Sequence, residues 1–198
     1  MTRTDPIRFA GAPRTAMVLA AGLGTRMRPL TETRPKPLVE VADRPLIDWT
    51  LDRLTETGVR RIVVNTHHHA EQMRAHLDAV RPRLPAGVEL LESHEEDLLE
   101  TGGGVVKALP ALGNDPFFVS NIDAVWVDEG ARELDRMQAA WDPERMDVLL
   151  LLAPMERTLG FDGAGDVFLE AEGQVRFRGA APSAPYAFAG VHIVHPRI

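Results

Sequence analysis

Apolar runs alternate with amphipathic stretches along the chain, and that alternation alone predicts most of its elements. Residues 16–21 form an apolar run that reads as a buried strand of a parallel sheet, cut off by Gly22 and Gly24. A short strand is expected over 38–41. Pro45 suits the first turn of a helix carrying Ile47, Leu51 and Leu54 on one face, with Gly58 as its stop. Residues 61–65 read as a second core strand. A helix near 70–80 follows, with Met73, Leu77 and Val80 on one face. Strands are expected at 88–91, 117–120 and 148–152. Helices are expected from the Thr101–Gly104 glycine run to about Leu109, and over 129–140.

Strands alternating with helices imply right-handed crossovers and a parallel sheet, in which ligands sit beyond the strand C-termini. Three polar features fall at those ends: the Gly22 loop, Asn65 with His67, and Asn121 with Asp123. The last fifty or so residues change character. Residues 167–169 and 175–177 flank a turn and read as a β-hairpin, and 188–194 as a further strand. The fold class expected is α/β: a Rossmann-like, mostly parallel sheet flanked by helices. The C-terminal strands are expected to add a small mixed sheet over one end. Residues 1–14 read as a flexible arm before a single domain over 15–198, and 180–185 as a mobile loop.

Composition narrows the function classes. A formal net charge of −7 argues against a general nucleic-acid binder. The absence of cysteine removes disulfides, thiolate metal sites and a cysteine nucleophile. No apolar run reaches transmembrane length, and the polar N-terminus lacks a signal-peptide core. The expectation is a cytoplasmic protein, monomer or homodimer, without membrane or nucleic-acid partners.

The chemistry concentrates where the first strand ends. Gly22 and Gly24 let a ligand approach the backbone, and consecutive N–H groups there can cradle an anion. Arg26, Arg28 and Lys36 bring cations to the same place. The loop lacks the G-x-x-x-x-G-K-[ST] spacing of a Walker A motif. Met27 stands where the dinucleotide fingerprint needs its third glycine, which disfavours a nicotinamide-dependent oxidoreductase. A second glycine-rich stretch, Thr101-Gly102-Gly103-Gly104, gives close backbone access at a helix start. Asn121-Ile122-Asp123 follows a buried strand, and a carboxylate there is a natural Mg²⁺ ligand. His67, His68 and His69 are adjacent, so they cannot all converge on one ion. One of them is expected to line the ligand pocket.

The run from Leu19 to Leu38 resembles the signature L-A-A-G-x-G-T-R-x-x-P-L-T-x-x-x-P-K-P-L of the sugar-phosphate nucleotidyltransferases. That resemblance extends over about residues 16–198. It implies transfer of a nucleotidyl group from a nucleoside triphosphate to a sugar 1-phosphate, with release of pyrophosphate and Mg²⁺ as cofactor. It implies catalytic roles for Arg26, Lys36 and Asp123, with Asp123 as the metal ligand. Ala20, Ala21, Gly22, Gly24, Thr25, Glu95, Thr101 and Gly102 would contact the nucleotide. Asn121, Asp166 and Gly190 would contact the sugar. The Leu99–Gly104 stretch, His195-Pro196 and the compact length look most like the N-acetylmuramate-1-phosphate uridylyltransferases of cell-wall recycling, with mannose-1-phosphate guanylyltransferases as the alternative. Relatives carry a second metal-binding aspartate on a later strand, so the chain is expected to lack the C-terminal end of the family domain. A catalytically silent nucleotide-sugar sensor therefore stands as a reading from another class.

Overall fold

The computed structural model describes residues 11–198. The chain order is β1 (Thr15–Leu19), β2 (Glu40–Val41), β3 (Arg44–Pro45), α1 (Leu46–Glu56), β4 (Arg61–Thr66), α2 (Ala70–Val80), β5 (Glu89–His94), α3 (Glu100–Leu112), β6 (Phe117–Asn121), α4 (Glu133–Ala140), β7 (Val148–Pro154), β8 (Val167–Leu169), β9 (Val175–Phe177) and β10 (Tyr186–Val194). The short strand expected at 38–41 is present as β2, Glu40–Val41, paired with β3; a one-turn 3-10 helix, Lys36–Leu38, takes the positions before it.

Strands β5, β4, β1 and β6 lie side by side and parallel. The period-2 alternation of β1 divides its side chains between two cores. Ala16, Val18 and Ala20 face α1, α2 and α4; Met17 faces α3. The chain runs outward from β1 to β4 and β5, then crosses to the other side of β1 to lay down β6. The strand order thus reverses at β1, and the crevice beyond its C-terminus is the topological switch point where ligands of open α/β sheets bind.

The C-terminal third departs from expectation. β10 enters the main sheet beside β6, antiparallel to it, rather than forming a separate sheet over one end. β7 pairs antiparallel with the other edge of β10 and so runs in the same direction as β6 and β1, but the reversed β10 separates it from the parallel set. Period and length identify a strand but carry no direction, which explains the miss. The predicted hairpin is present as β8–β9 and joins β10 through Tyr186 and Val167. A bulge between Phe188 and His192, with Gly190 at φ 76°, swings the first half of β10 past the end of β6.

Most of the arm, residues 1–10, lies outside the described residues. Its end is tethered: Pro13 is buried with its carbonyl accepting from Gln138 Nε2, and the Arg14 carbonyl accepts from the Arg60 and Arg61 amides. The 180–185 segment, expected to be mobile, is also held. Ala184 is buried and its amide donates to the Ala164 carbonyl, while the Pro185 carbonyl accepts from Met155.

Candidate functional site

A cleft of about 220 Å³ opens at the switch point, between the loop after β1, the start of α3 and the end of β6. Its floor is the Ala20–Gly22 backbone. Ala20 and Ala21 are buried, whereas Gly22 is exposed and faces open space: nothing lies within 4 Å of where a Cβ would stand. Gly24 works differently. At φ 62° it packs so closely that a Cβ would lie 2.9 Å from Thr31 Cγ2 and 3.0 Å from Lys36 Cβ, and its carbonyl accepts from the Thr31 hydroxyl at 2.8 Å. That glycine folds the loop back onto the segment that delivers Lys36.

Lys36 opens the 3-10 turn Lys36–Leu38 between two buried prolines, Pro35 and Pro37, whose rings restrict the backbone on either side. Its ammonium donates to Asp123 Oδ2 at 2.5 Å. Asp123 stands two residues past the end of β6, and the ends of β1 and β6 are level through Leu19 and Asn121. Lys36 is one-fifth and Asp123 two-fifths exposed, so the pair borders solvent on the cleft wall. The loop after Asp123 is anchored by Trp126, whose carbonyl accepts from Arg53; that guanidinium lies 4.5 Å over the Trp126 ring.

Of the residues expected to act on a ligand, Ala20, Ala21, Gly22, Lys36, Glu95, Thr101, Asn121 and Asp123 line the cleft. Arg26 lies exposed on the turn Thr25–Met27, and Gly24, Thr25 and Gly102 also stand outside the lining. Gly190 packs behind the cleft: a Cβ on it would lie 3.1 Å from Asn121. Asp166 is not among the lining residues, and its Oδ2 accepts from the Phe188 amide at 2.9 Å, joining the turn before β8 to β10.

The expectation that one histidine of the triplet lines the pocket is not met. His68 and His69 reach with Nε2 to the carbonyls of Thr31 and Glu32, at 3.2 and 3.1 Å, and Gln72 reaches Thr33 at 2.9 Å. His67 contacts the Glu95 carbonyl through Nδ1 at 3.0 Å. Each histidine sits at the start of α2 and fastens a neighbouring loop.

Glu95 lines the cleft but is only 1% exposed, and both its oxygens are engaged. Oε1 accepts from Asn65 Nδ2 at 2.8 Å and Oε2 from the Leu99 amide at 3.0 Å. Asn65 Oδ1 in turn accepts from the Ala20 amide at 2.6 Å. Glu95, expected to contact the base, thus lines the cleft with both oxygens in internal bonds. Residue spacing had singled out Asn65 as a polar strand end, but its pairing with Glu95 across β4 and β5 needed the sheet register. Gly104, read as part of an access loop, is buried against this pair. A Cβ there would lie 2.6 Å from Glu95 Oε1 and 2.8 Å from Asn65 Nδ2.

Comparison with known proteins places this geometry. The sequence profile of the MobA-like NTP transferase domain matches residues 16–169. The chain is 52% identical to an N-acetylmuramate alpha-1-phosphate uridylyltransferase of Caulobacter vibrioides, over 94% of this chain and 77% of that protein. It is 50% identical to the enzyme of the same name from Neisseria meningitidis serogroup B, over 56% of this chain and 47% of that one. Among solved structures, a UDP-glucose pyrophosphorylase complexed with UDP-glucose superposes with a TM-score of 0.76 at 17% identity, over 93% of this chain and 77% of that chain; this likeness concerns the fold.

Proposed function

The chain belongs to the MobA-like NTP transferase domain family and is a sugar-1-phosphate nucleotidyltransferase, and from that premise we propose that it transfers the uridylyl group of UTP to N-acetylmuramate 1-phosphate, releasing pyrophosphate. A place in cell-wall recycling belongs to the same proposal. The choice of substrates rests on the 52% identity to the Caulobacter enzyme, and the transfer chemistry on the convergence, at one strand end, of a bare backbone loop and the Lys36–Asp123 pair.

The attacking sugar phosphate is mostly dianionic near neutral pH, its second pKa being about 6, so no strong general base is needed. Catalysis then rests on in-line positioning and on neutralising charge at the transferred phosphorus. Ala20–Gly22 would offer its backbone to the nucleotide, with Thr101 opposite. Lys36 spends one of its three N–H donors on Asp123 and keeps two for phosphate oxygens. Arg26, outside the cleft lining, would meet the distal end of the triphosphate. Asn121, backed by Gly190, faces the side where the sugar would lie, with Asp166 shaping the β8–β10 wall behind it.

Among the described residues no three acidic or histidine side chains cluster into a protein-only metal cage. The two-fifths-exposed Asp123 carboxylate instead suits Mg²⁺, which typically takes one or two carboxylates and fills its other positions with phosphate oxygens and water. Bound there, Mg²⁺ would supply Lewis-acid stabilisation of charge on the reacting oxygens.

Pyrophosphate release should be fastest with UTP and N-acetylmuramate 1-phosphate in a panel crossing five nucleoside triphosphates with several sugar 1-phosphates. Asp123→Asn should slow that pair by about 10²-fold or more. Preference for GTP with mannose 1-phosphate would replace the uridylyl reading by a guanylyl one. Nucleotide binding without release from any pair would support a silent sensor.

A further inference from the structure

Two backbone amides flanking the same side of the cleft, Ala20 N–H after β1 and Leu99 N–H before α3, are joined by a buried chain of two side chains, Asn65 and Glu95. Both ends of the chain are donors that cannot change. Asn65 must therefore turn its oxygen to Ala20 and its amide nitrogen to Glu95. Glu95 must then accept on both oxygens, because Asn65 and Leu99 both donate to it. Only a carboxylate offers two acceptors in that span. Asparagine and glutamate are thus ordered by the direction of their hydrogen bonds, not by size alone.

We propose that Asn65 and Glu95 are positioning residues that set the separation of the two nucleotide-binding segments, the loop after β1 and the start of α3, and that Glu95 acts through this polarity. The proposal rests on the nucleotidyltransferase reading above. Ala20 begins the bare loop at the end of β1, and Leu99 immediately precedes α3, whose start carries Thr101. Fixing both amides holds the two segments in register. Gly104 supplies independent support: α3 sits so close to the pair that any Cβ would collide with Glu95 Oε1 and Asn65 Nδ2. The helix is therefore seated on the relay, and its third glycine makes room for side chains of the protein rather than for ligand.

The polarity argument yields a test that size or charge arguments do not. In Glu95→Gln the new amide nitrogen must face a donor, either Asn65 Nδ2 or the Leu99 amide. Turning Asn65 over only moves the conflict to Ala20 N–H. A buried donor is left unpaired in every arrangement. In Asn65→Asp two carboxylates face each other. Together, Asn65→Asp and Glu95→Gln restore all three bonds: Ala20 N–H to one Asp oxygen, the Gln amide to the other, and Leu99 N–H to the Gln oxygen.

UTP affinity by calorimetry and exchange protection of the Ala20 and Leu99 amides are measured for the parent, both single variants and the double. Each single variant should lose about tenfold or more in affinity, with faster exchange at both amides. The double variant should return to within about threefold of the parent, with protection recovered. Additive or worse loss in the double variant, or unchanged affinity in Glu95→Gln, would overturn the relay. If a single variant fails to fold, recovery of folding and protection in the double variant supports the relay, and its absence overturns it. Amide protection needs no turnover. A parent without nucleotidyltransferase activity would sink the functional reading while leaving the relay to be judged on exchange.

Discussion

The two walls of the cleft are built by different means. On the side of β1, β4 and α3, the interiors of β1 and β4 are buried, and the loop ends are tied by a polar relay that leaves no member without a partner. On the far side, burial is shallower in β7 and β9. No residue of β7 is fully buried, all three residues of β9 are exposed, and the wall takes its shape from the bulge at Gly190. Under the proposed function the first wall would be a preorganised cradle for the nucleotide, whose value lies in not moving as charge develops. The second, half-exposed at β7 and β9, would be the side that varies with the sugar while the nucleotide side stays fixed.

Breaking the first wall should have the larger effect. Gly22→Val places a branched side chain in open space, at a glycine whose φ is not positive, so the fold should tolerate it. The same methyl groups would occupy the approach path of a nucleotide. Affinity for nucleoside triphosphate should fall by roughly 100-fold or more, about 2.7 kcal/mol. The melting temperature should stay within ~2 °C of the parent. Calorimetry showing parental affinity in a folded variant would remove the loop from the nucleotide site.

Gly190→Ala tests the second wall, with a smaller expected effect. The φ of 76° is unfavourable for any residue with a Cβ, and the new atom would press on Asn121 at 3.1 Å. A stability cost of about 1–2 kcal/mol should follow, or a few degrees in melting temperature. If Asn121 and Gly190 serve the sugar side, KM for the sugar 1-phosphate should rise several-fold while nucleotide affinity stays level. Loss of nucleotide affinity of the same size would mean that the walls are not independent.

This division also explains what could be read from residues alone. Short apolar runs with β-branched and aromatic residues, bounded by glycines, disclosed β1, β4 and β6. The signature from Leu19 to Leu38 disclosed Lys36, because those features are local in sequence. The place of β7 was not legible: nothing in the apolar pattern of 148–152 says that β10, running the other way, lies between it and β6. Nor was the task of Glu95. An acidic side chain within an acidic run looks solvated until strand register sets it beside Asn65, thirty residues away. The histidine triplet misled for a related reason: its partners are backbone carbonyls of 31 and 32, which carry no residue-type signal.

His192 gives the smallest effect and the sharpest view of the weaker half. It lies mid-strand on β10, paired with Val119 on one side and Leu150 on the other, with its ring tilted against Phe188 at 5.8 Å. Nδ1 is buried without a partner, and burial lowers its pKa below the ordinary histidine value of 6.5. A folded-state pKa below the unfolded one means that the unfolded chain takes up the proton first as pH falls. This contribution is therefore fully present above about pH 6.5 and is lost as pH falls towards the depressed folded value. His192→Leu removes both the unpaired nitrogen and the titration. Its melting temperature should match or slightly exceed the parent's at pH 7.5, and the gap should widen in its favour at pH 5.5. Parallel pH curves for the two proteins would show that the imidazole reaches water in the folded state, and that the sheet here is more open than its burial indicates.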